Sequence, residues 1–418
     1  WKTINKTIQK EGLSFGESLR WLAGIDGAVE NLTKNPDGGN SNPSDESGKS
    51  TRVVVPGKWL KEVLSELSSP QTNKKILQTL DLHLRAQLRP YQIHGVNWLY
   101  KLYQMQMGGI LADDMGLGKT IQIVALLLLK KHLAPPKPPS LLVVPASLLT
   151  NWRNEMERFA PSIKFWIAHS SGNGLLPPPT QLKDCPLDLI LTTYAARLDW
   201  IAAAEWGLVV ADEAQAIKNP SAKQTQTLKK LKSPHKLALT GTPVENNLSD
   251  LWSLFDFVSP GLLGTPESFG KFVKKNKKSY SALRNLVRPY ILRRLKIDKN
   301  VIADLPEKTE LKVFCGLSKA QIALYTKAVK SMTSELQLAD GIQRRGLVLA
   351  YLMKFKQICN HPAQLVKFGE FSPQQSGKFQ RLKEICEVIA AKQEKVLVFT
   401  QFKEMTEALH DFLKTVFG

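Results

Sequence analysis

What most constrains this chain is an alternation that begins at about residue 86. Short, nearly all-apolar runs take turns with helical patterns: GGILAD, GKTIQIVALLLLKKHL, the proline-rich break APPKPPS, LLVVP and SLLTNWRNEMERF, then LDLILTTY, LVVADE and KLALTGT. Strands apolar at nearly every position and separated by helices are what a parallel sheet covered on both faces requires. The pattern predicts a doubly wound α/β domain.

After about residue 247 the strands stop. Helical patterns follow in NLSDLWSLFDFV, ESFGKFVKK and SALRNLVRPYILRR. A first domain over 86–304, with a helical insertion at 259–300, is therefore expected. A second unit, 305–418, reads as the helices KAQIALYTKAVKSMTSEL, GLVLAYLMKFKQICNHP and GKFQRLKEICEVIAAKQ, the strand KVLVFTQF and one more helix. With one sheet strand before Gly418, it reads as incomplete. Residues 1–85 form an N-terminal accessory region whose stretch 34–51 has no apolar residue and reads as a flexible loop. No repeat at solenoid spacing is evident. The apolar run IVALLLL at 123–129 is far below the roughly 20 residues that span a bilayer, and it reads as buried helix.

Residues 110–120, ILADDMGLGKT, end like a phosphate-binding loop of the pattern GxxxxGK[ST], with Asp113 at the position of the first glycine. Gly116 and Gly118 allow close backbone approach, Lys119 supplies charge to the outer phosphates and Thr120 a hydroxyl for magnesium. The flanking strand and helix are the context such a loop needs, since a helix N-terminus favours phosphate. At 208–213, LVVADE places two acids at the end of a buried strand, where open α/β sheets carry their ligands. Asp212 suits a magnesium-binding role and Glu213 that of a base toward the attacking water. The plainer alternative is an N-cap with a solvated helix start, which the lysine loop upstream disfavours. Thr240, Gly241 and Thr242 end a third strand and suit sensing of the γ-phosphate, although TGT is also an ordinary turn.

Charge points to a polyanion. Lys+Arg 57 against Asp+Glu 37 gives a formal net charge of +20, which favours nucleic acid, with membrane surfaces the competing partner. The charge is clustered: six lysines and no acid between Ala214 and Val244, eleven Lys or Arg and the single acid Asp298 between Lys271 and Lys299. Such clusters bind phosphates without regard to sequence. The four cysteines, Cys185, Cys315, Cys359 and Cys386, are too scattered for a disulfide framework and suit a reducing compartment. His361 beside Cys359 lacks a second ligand pair at zinc spacing, leaving magnesium carried with ATP as the expected metal.

In this order the motifs resemble the Swi/Snf-related ATPases, the duplex-DNA translocases of helicase superfamily two, over about 86–418. LRPYQIHGVNWL is similar to the family's adenine-recognition segment, which makes Gln92 the expected reader of the adenine edge. LADDMGLGKT, LLVVPASLLTNWRNE, ILTTYAA, VVADEAQAIKN, LALTGTPVENNLSDLWSLFDFV, ILRRLKIDKNVIADLPEKTE, LMKFKQICNHP, SGKFQRL and KVLVFTQF resemble further family segments. DEAQ and TGTPVEN resemble the bacterial and archaeal branch.

The resemblance implies two RecA-like lobes, the second incomplete, closing on ATP and magnesium to step along double-stranded DNA. It places Ser147, Asn151, Trp152, Thr193 and Tyr194 on the DNA face of the first lobe and Gln401 on that of the second. Trp152 has a competing reading as a core residue. The family's last motifs, with arginines that reach across the cleft, would follow Gly418, so the chain is expected to bind ATP and DNA and to hydrolyse ATP poorly. A cytoplasmic, nucleoid-associated location and encounters with DNA-bound proteins such as RNA polymerase or nucleoid proteins are further expectations. The alternatives are a non-catalytic DNA-binding module switched by ATP, and an RNA helicase.

Overall fold

The computed structural model describes residues 65, 67, 73–135, 138–169, 186–195, 199–244, 248–276, 280–299, 301–302, 309–338, 340–367 and 369–418. The flexible loop expected at 34–51 and Cys185 lie outside the described residues. The chain divides between Glu307 and Lys308 into two compact units.

The first unit begins with helix α1 (Lys74–His83), capped by the Asn73 carboxamide, and α2 (Pro90–Gln104), which has proline in its first turn, where no intrahelical N–H is needed. Then come β1 (Gly109–Leu111), α3 (Lys119–Leu133), β2 (Ser140–Val144), α4 (Leu149–Phe159), β3 (Phe165–Ala168), β4 (Leu189–Thr193), the short α5 (Asp199–Ala203) and β5 (Leu208–Ala211). Helix α6 (Lys223–Lys229), β6 (Lys236–Leu239), α7 (Leu248–Val258), α8 (Pro266–Lys275), α9 (Ser281–Val287) and β7 (Ile291–Leu292) complete it. The seven strands form one parallel sheet in the order β3-β4-β2-β5-β6-β1-β7. Strands β2, β4, β5 and β6 are buried at every position, which only helices on both faces permit.

Helix α3 is the expected buried helix. Ile123 through Leu129 are all buried, because α1, α2 and α4 surround it. Its last turn leaves the core with Lys130, Lys131 and His132, and Lys131 spans to Ser162 O and Asp188 at 2.6 and 2.7 Å.

Two strands depart from what the sequence pattern predicts. β3 lies in KFWIA, which the alternation read from the sequence does not include; its four residues are apolar, and it is an edge strand that is only half-buried. β7 lies in RPYILRR, where the pattern predicts helix. Pro289 has no N–H to continue α9, the chain passes through a short 3-10 turn, and Ile291 and Leu292 pair with Ile110 and Leu111.

The second unit is helical among its described residues: α10 (Lys319–Gln337), α11 (Gly341–Asn360), α12 (Pro362–Val366), α13 (Gly377–Ala391) and α14 (Met405–Phe417). Ser318 and Gln321 form a reciprocal cap at the start of α10. Phe379, Phe402 and Met405 make a small core. The strand expected at KVLVFTQF carries no ladder, and Leu397 and Phe399 are 82% and 88% exposed. A strand needs a hydrogen-bonded neighbour, and no other strand is present among the described residues of this unit. His361 is fully buried as the cap of α12: its Nδ1 accepts from Ala363 N at 3.1 Å, its Nε2 lies 2.9 Å from Ser372 O, and its ring packs on Phe371 and Phe379.

Candidate active site

Strands β5, β6 and β1 lie side by side, and their carboxyl ends present Asp212, Thr240 and the loop 112–118 to one region. In the loop, Gly116 and Gly118 take φ +83° and +77°, conformations that side chains resist. Gly118 is the N-cap of α3, so the first turn of that helix directs its free N–H groups at the loop. Lys119 Nζ donates to Asp113 O at 2.8 Å, which folds the ammonium back over the loop.

A cavity of about 600 Å³ opens beside the loop, lined by Gly116, Gly118, Lys119, Thr120, Asp212 and Glu213 on one side and by α4 residues including Trp152, Glu155 and Arg158 on the other. A hydroxyl and two carboxylates around one opening are a hard oxygen donor set, with a cation and a glycine-rich loop beside them. These residues fit a magnesium-bound polyphosphate.

Asp212 is buried. Its Oδ2 accepts from the Trp152 indole at 2.7 Å and its Oδ1 from Glu213 N at 2.8 Å. Burial pushes its carboxyl above the usual range, and those two donors partly offset the rise. Glu213 has φ +49° and ψ 54°, a left-handed backbone that non-glycine residues seldom adopt. Strain of this kind collects at functional sites.

Glu213 is tied to Thr240. Gln215 Nε2 donates to Glu213 Oε2 at 2.6 Å, Thr240 Oγ1 donates to Gln215 Oε1 at 3.2 Å, and Thr242 N donates back to Thr240 Oγ1 at 3.1 Å. Gly241 leaves room for Met115: a Cβ there would lie 3.3 Å from Met115 Cγ. The ends of β5 and β6 are thus joined by one glutamine. In the sequence that glutamine, the last letter of DEAQ, marks the branch and gives no sign of the bridge.

The residues expected on a DNA face divide. Ser147 is exposed in the turn before α4 and Asn151 in the first turn of α4, where it donates to Glu155 at 2.9 Å, and Gln401 is exposed in the second unit. Trp152 and Thr193, expected on the same face, are buried, at 1% and 2% exposure. Trp152 faces the cavity and Asp212. Tyr194 donates from its hydroxyl to Asp212 O at 2.7 Å, and burial beside Asp212 and Glu213 pushes its phenol well above the usual value. Gln92 sits against the loop, donating to Leu117 O at 3.2 Å and accepting from Arg89 N at 2.9 Å.

Several cations of the basic clusters turn inward. Lys229 pairs with Asp256 at 2.8 Å and lies over the Trp252 ring, while Lys236 is buried and donates to Lys229 O at 3.0 Å. Arg294 pairs with the fully buried carboxylate of Asp113. A buried acid at the first-glycine position calls for such a counter-charge, but the partner lies 181 residues away in sequence, within ILRRLK, where nothing local singles it out.

A family model described as SNF2-related domain matches residues 91–364. YwqA of Bacillus subtilis, whose name describes an ATP-dependent helicase/translocase, is 38% identical over 350 residues, covering 80% of this chain and 37% of YwqA. The DNA repair and recombination protein RAD26 of Saccharomyces cerevisiae is 33% identical over 398 residues, covering 78% of this chain and 36% of that protein. Among solved structures, the Sulfolobus solfataricus SWI2/SNF2 ATPase core in complex with dsDNA is similar with 40% identity and a TM-score of 0.51, covering 80% of this chain and 71% of that one. The chain spans 37% and 36% of the lengths of these two curated relatives.

Proposed function

The chain belongs to the SNF2-related family, and from that membership we propose that it is the ATP-binding core of a motor that moves along double-stranded DNA while hydrolysing ATP to ADP and phosphate. The observation that carries this is the meeting of Lys119, Thr120, Asp212 and Glu213 around one cavity. Lys119 leaves its bond to Asp113 O for the outer phosphates. Thr120 and Asp212 hold magnesium, which when bound supplies charge neutralisation for phosphoryl transfer. Glu213, set by its left-handed backbone and by Gln215, orients and deprotonates the attacking water.

Thr240, Gly241 and Thr242 report the state of that site, and the Gln215 bridge is the means, since a change at Glu213 displaces the end of β6. Gln92 takes the adenine edge, so nucleotide entry and loop shape are linked through Leu117. Ser147, Asn151 and Gln401, all exposed, meet the duplex through its phosphates, as a motor indifferent to sequence requires. Such a motor works where DNA is kept; for a chain of bacterial or archaeal type that is the nucleoid, and the obstacles it meets are DNA-bound proteins such as RNA polymerase.

The test separates binding from turnover. Lys119→Ala loses ATP binding, whereas Glu213→Gln keeps binding and loses phosphate release. Duplex DNA raises phosphate release more than single strands or RNA. If Glu213→Gln releases phosphate at the parent rate, the catalytic assignment is wrong; if ATP binds and nothing stimulates turnover, the chain is a nucleotide-switched binding module instead.

A further inference from the structure

Asp113 has no access to solvent, yet it occupies the loop position where the common pattern has glycine. Its carboxylate is held by Arg294, just past β7. Arg294 Nε donates to Oδ1 at 2.9 Å, its backbone N donates to the same oxygen at 3.2 Å, and Nη2 pairs with Oδ2. Gln122, in the first turns of α3, adds a bond to Oδ2 at 3.2 Å and accepts from Arg294 Nη2 at 2.8 Å.

The guanidinium reaches further. Its Nη1 donates to Tyr91 O, and its carbon lies 5.1 Å from the centroid of the Tyr91 ring at the start of α2. The packing is close at Gly95: a Cβ there would lie 1.9 Å from Gln122 Oε1 and 2.7 Å from Arg294 Nη2, so both side-chain ends would have to shift from these bonds. Backbone bonds from Ala112 N to Leu292 O and from Asp114 N to Arg294 O continue the contact along the loop at 2.7 and 3.0 Å. A fork that satisfies a buried carboxylate from two directions leaves Asp113 one orientation. The carbonyl of that same residue holds Lys119 Nζ.

We propose that Arg294 is a positioning residue of the nucleotide site: through Asp113 it fixes the carbonyl and loop backbone that aim Lys119, and it locks the adenine segment at Tyr91, the loop, and the chain leading out of β7 into one arrangement. Lysine cannot replace it, because a point charge lacks the planar fork that reaches Asp113, Gln122 and Tyr91 together. Asp113 in turn substitutes an ion pair for the freedom of a glycine.

The inference rests on the ATP-binding reading, and the experiment keeps the two apart. Equilibrium binding of a fluorescent ATP analogue with magnesium is measured for the parent chain, Lys119→Ala, Arg294→Lys and Asp113→Asn, at a temperature where melting curves show each variant folded. Arg294→Lys and Asp113→Asn are expected to bind the analogue about tenfold more weakly, as losing the groups that orient a ligand-holding side chain does elsewhere, with duplex affinity within about twofold of the parent. If the parent binds no better than Lys119→Ala, the ATP reading itself fails and this inference goes with it. If the parent binds and Lys119→Ala does not, but the two variants match the parent, Arg294 is structural only. Should neither variant fold, neutral Gln122→Met decides: it removes one bond from each partner, and unchanged affinity overturns the positioning role.

Discussion

The indole N–H of Trp152 meets Oδ2 of Asp212 at 2.7 Å, with both residues buried. Helix α4 is thereby fastened to the end of β5 at the carboxylate assigned to magnesium. Trp152→Phe keeps an aromatic ring and removes the donor, leaving a buried carboxylate with one bond fewer, a loss of about 1–3 kcal/mol in stability. Magnesium-dependent ATP affinity falls with it, and duplex affinity does not. Thermal melting and nucleotide titration check this; a variant that loses duplex binding while ATP affinity holds would restore Trp152 to the DNA face.

Gln215→Ala cuts the link between Glu213 and Thr240 while leaving the loop intact. ATP affinity should stay within about threefold, since ground-state interactions are kept, while duplex stimulation of phosphate release is lost. Gln215→Glu, which sets a second carboxylate against Glu213, should be worse than alanine. Steady-state phosphate release with and without duplex is the measurement, and undiminished stimulation in the alanine variant removes the coupling role.

The lysines of the 214–244 cluster are not equivalent. Lys223, Lys230 and Lys232 are exposed, whereas Lys229 is paired with Asp256. Alanine at Lys230 or Lys232 should weaken duplex binding and reduce the slope of log affinity against log salt by about 0.9 for each phosphate that is no longer neutralised. Lys229→Ala should lower stability and leave the slope alone. Equal slopes for all of them would mean that this cluster does not meet DNA.

His361 carries a pH dependence. Burial holds its imidazole below the ordinary value of 6.5, only partly offset by Ser372 O. Above about 6.5 the folded and unfolded chains both keep it neutral. As pH falls below that value the unfolded chain takes up the proton first, so stability declines until the folded value is passed. Melting midpoints between pH 8 and 5 should show the decline, and His361→Asn, which can still cap α12, should flatten it. An unchanged decline in that variant assigns the effect to other groups.

The sheet is legible in the sequence because β2, β4, β5 and β6 are buried on both faces, and an all-apolar run has few other readings. The glycine-rich loop before α3 is legible because its glycines, lysine and threonine are nearly contiguous. What escapes is set by residues distant in sequence. Trp152 suits a DNA face or a core equally well, with nothing local to choose between them; its partner is 60 residues on. Ile291 and Leu292 follow a helical pattern until Pro289 and the open edge of β1 decide otherwise. KVLVFTQF has the composition of a strand, but pairing belongs to two segments at once, and composition reports only one. The resemblance implies a DNA-face position for Thr193, while its strand is buried along its whole length, a property that depends on the helices packed over it rather than on the motif.

Strand β1 has a parallel ladder on each side, β6 on one and β7 on the other. It cannot peel away from an open edge, and sliding it would break both ladders together. Displacement at the glycine-rich loop is left to torsion about residues 115–118, where Gly116 and Gly118 are the joints. The sheet acts as an anvil: under the ATP-binding reading proposed above, the work of a bound phosphate would go into turning those two glycines, and into the chain that Arg294 ties to the loop.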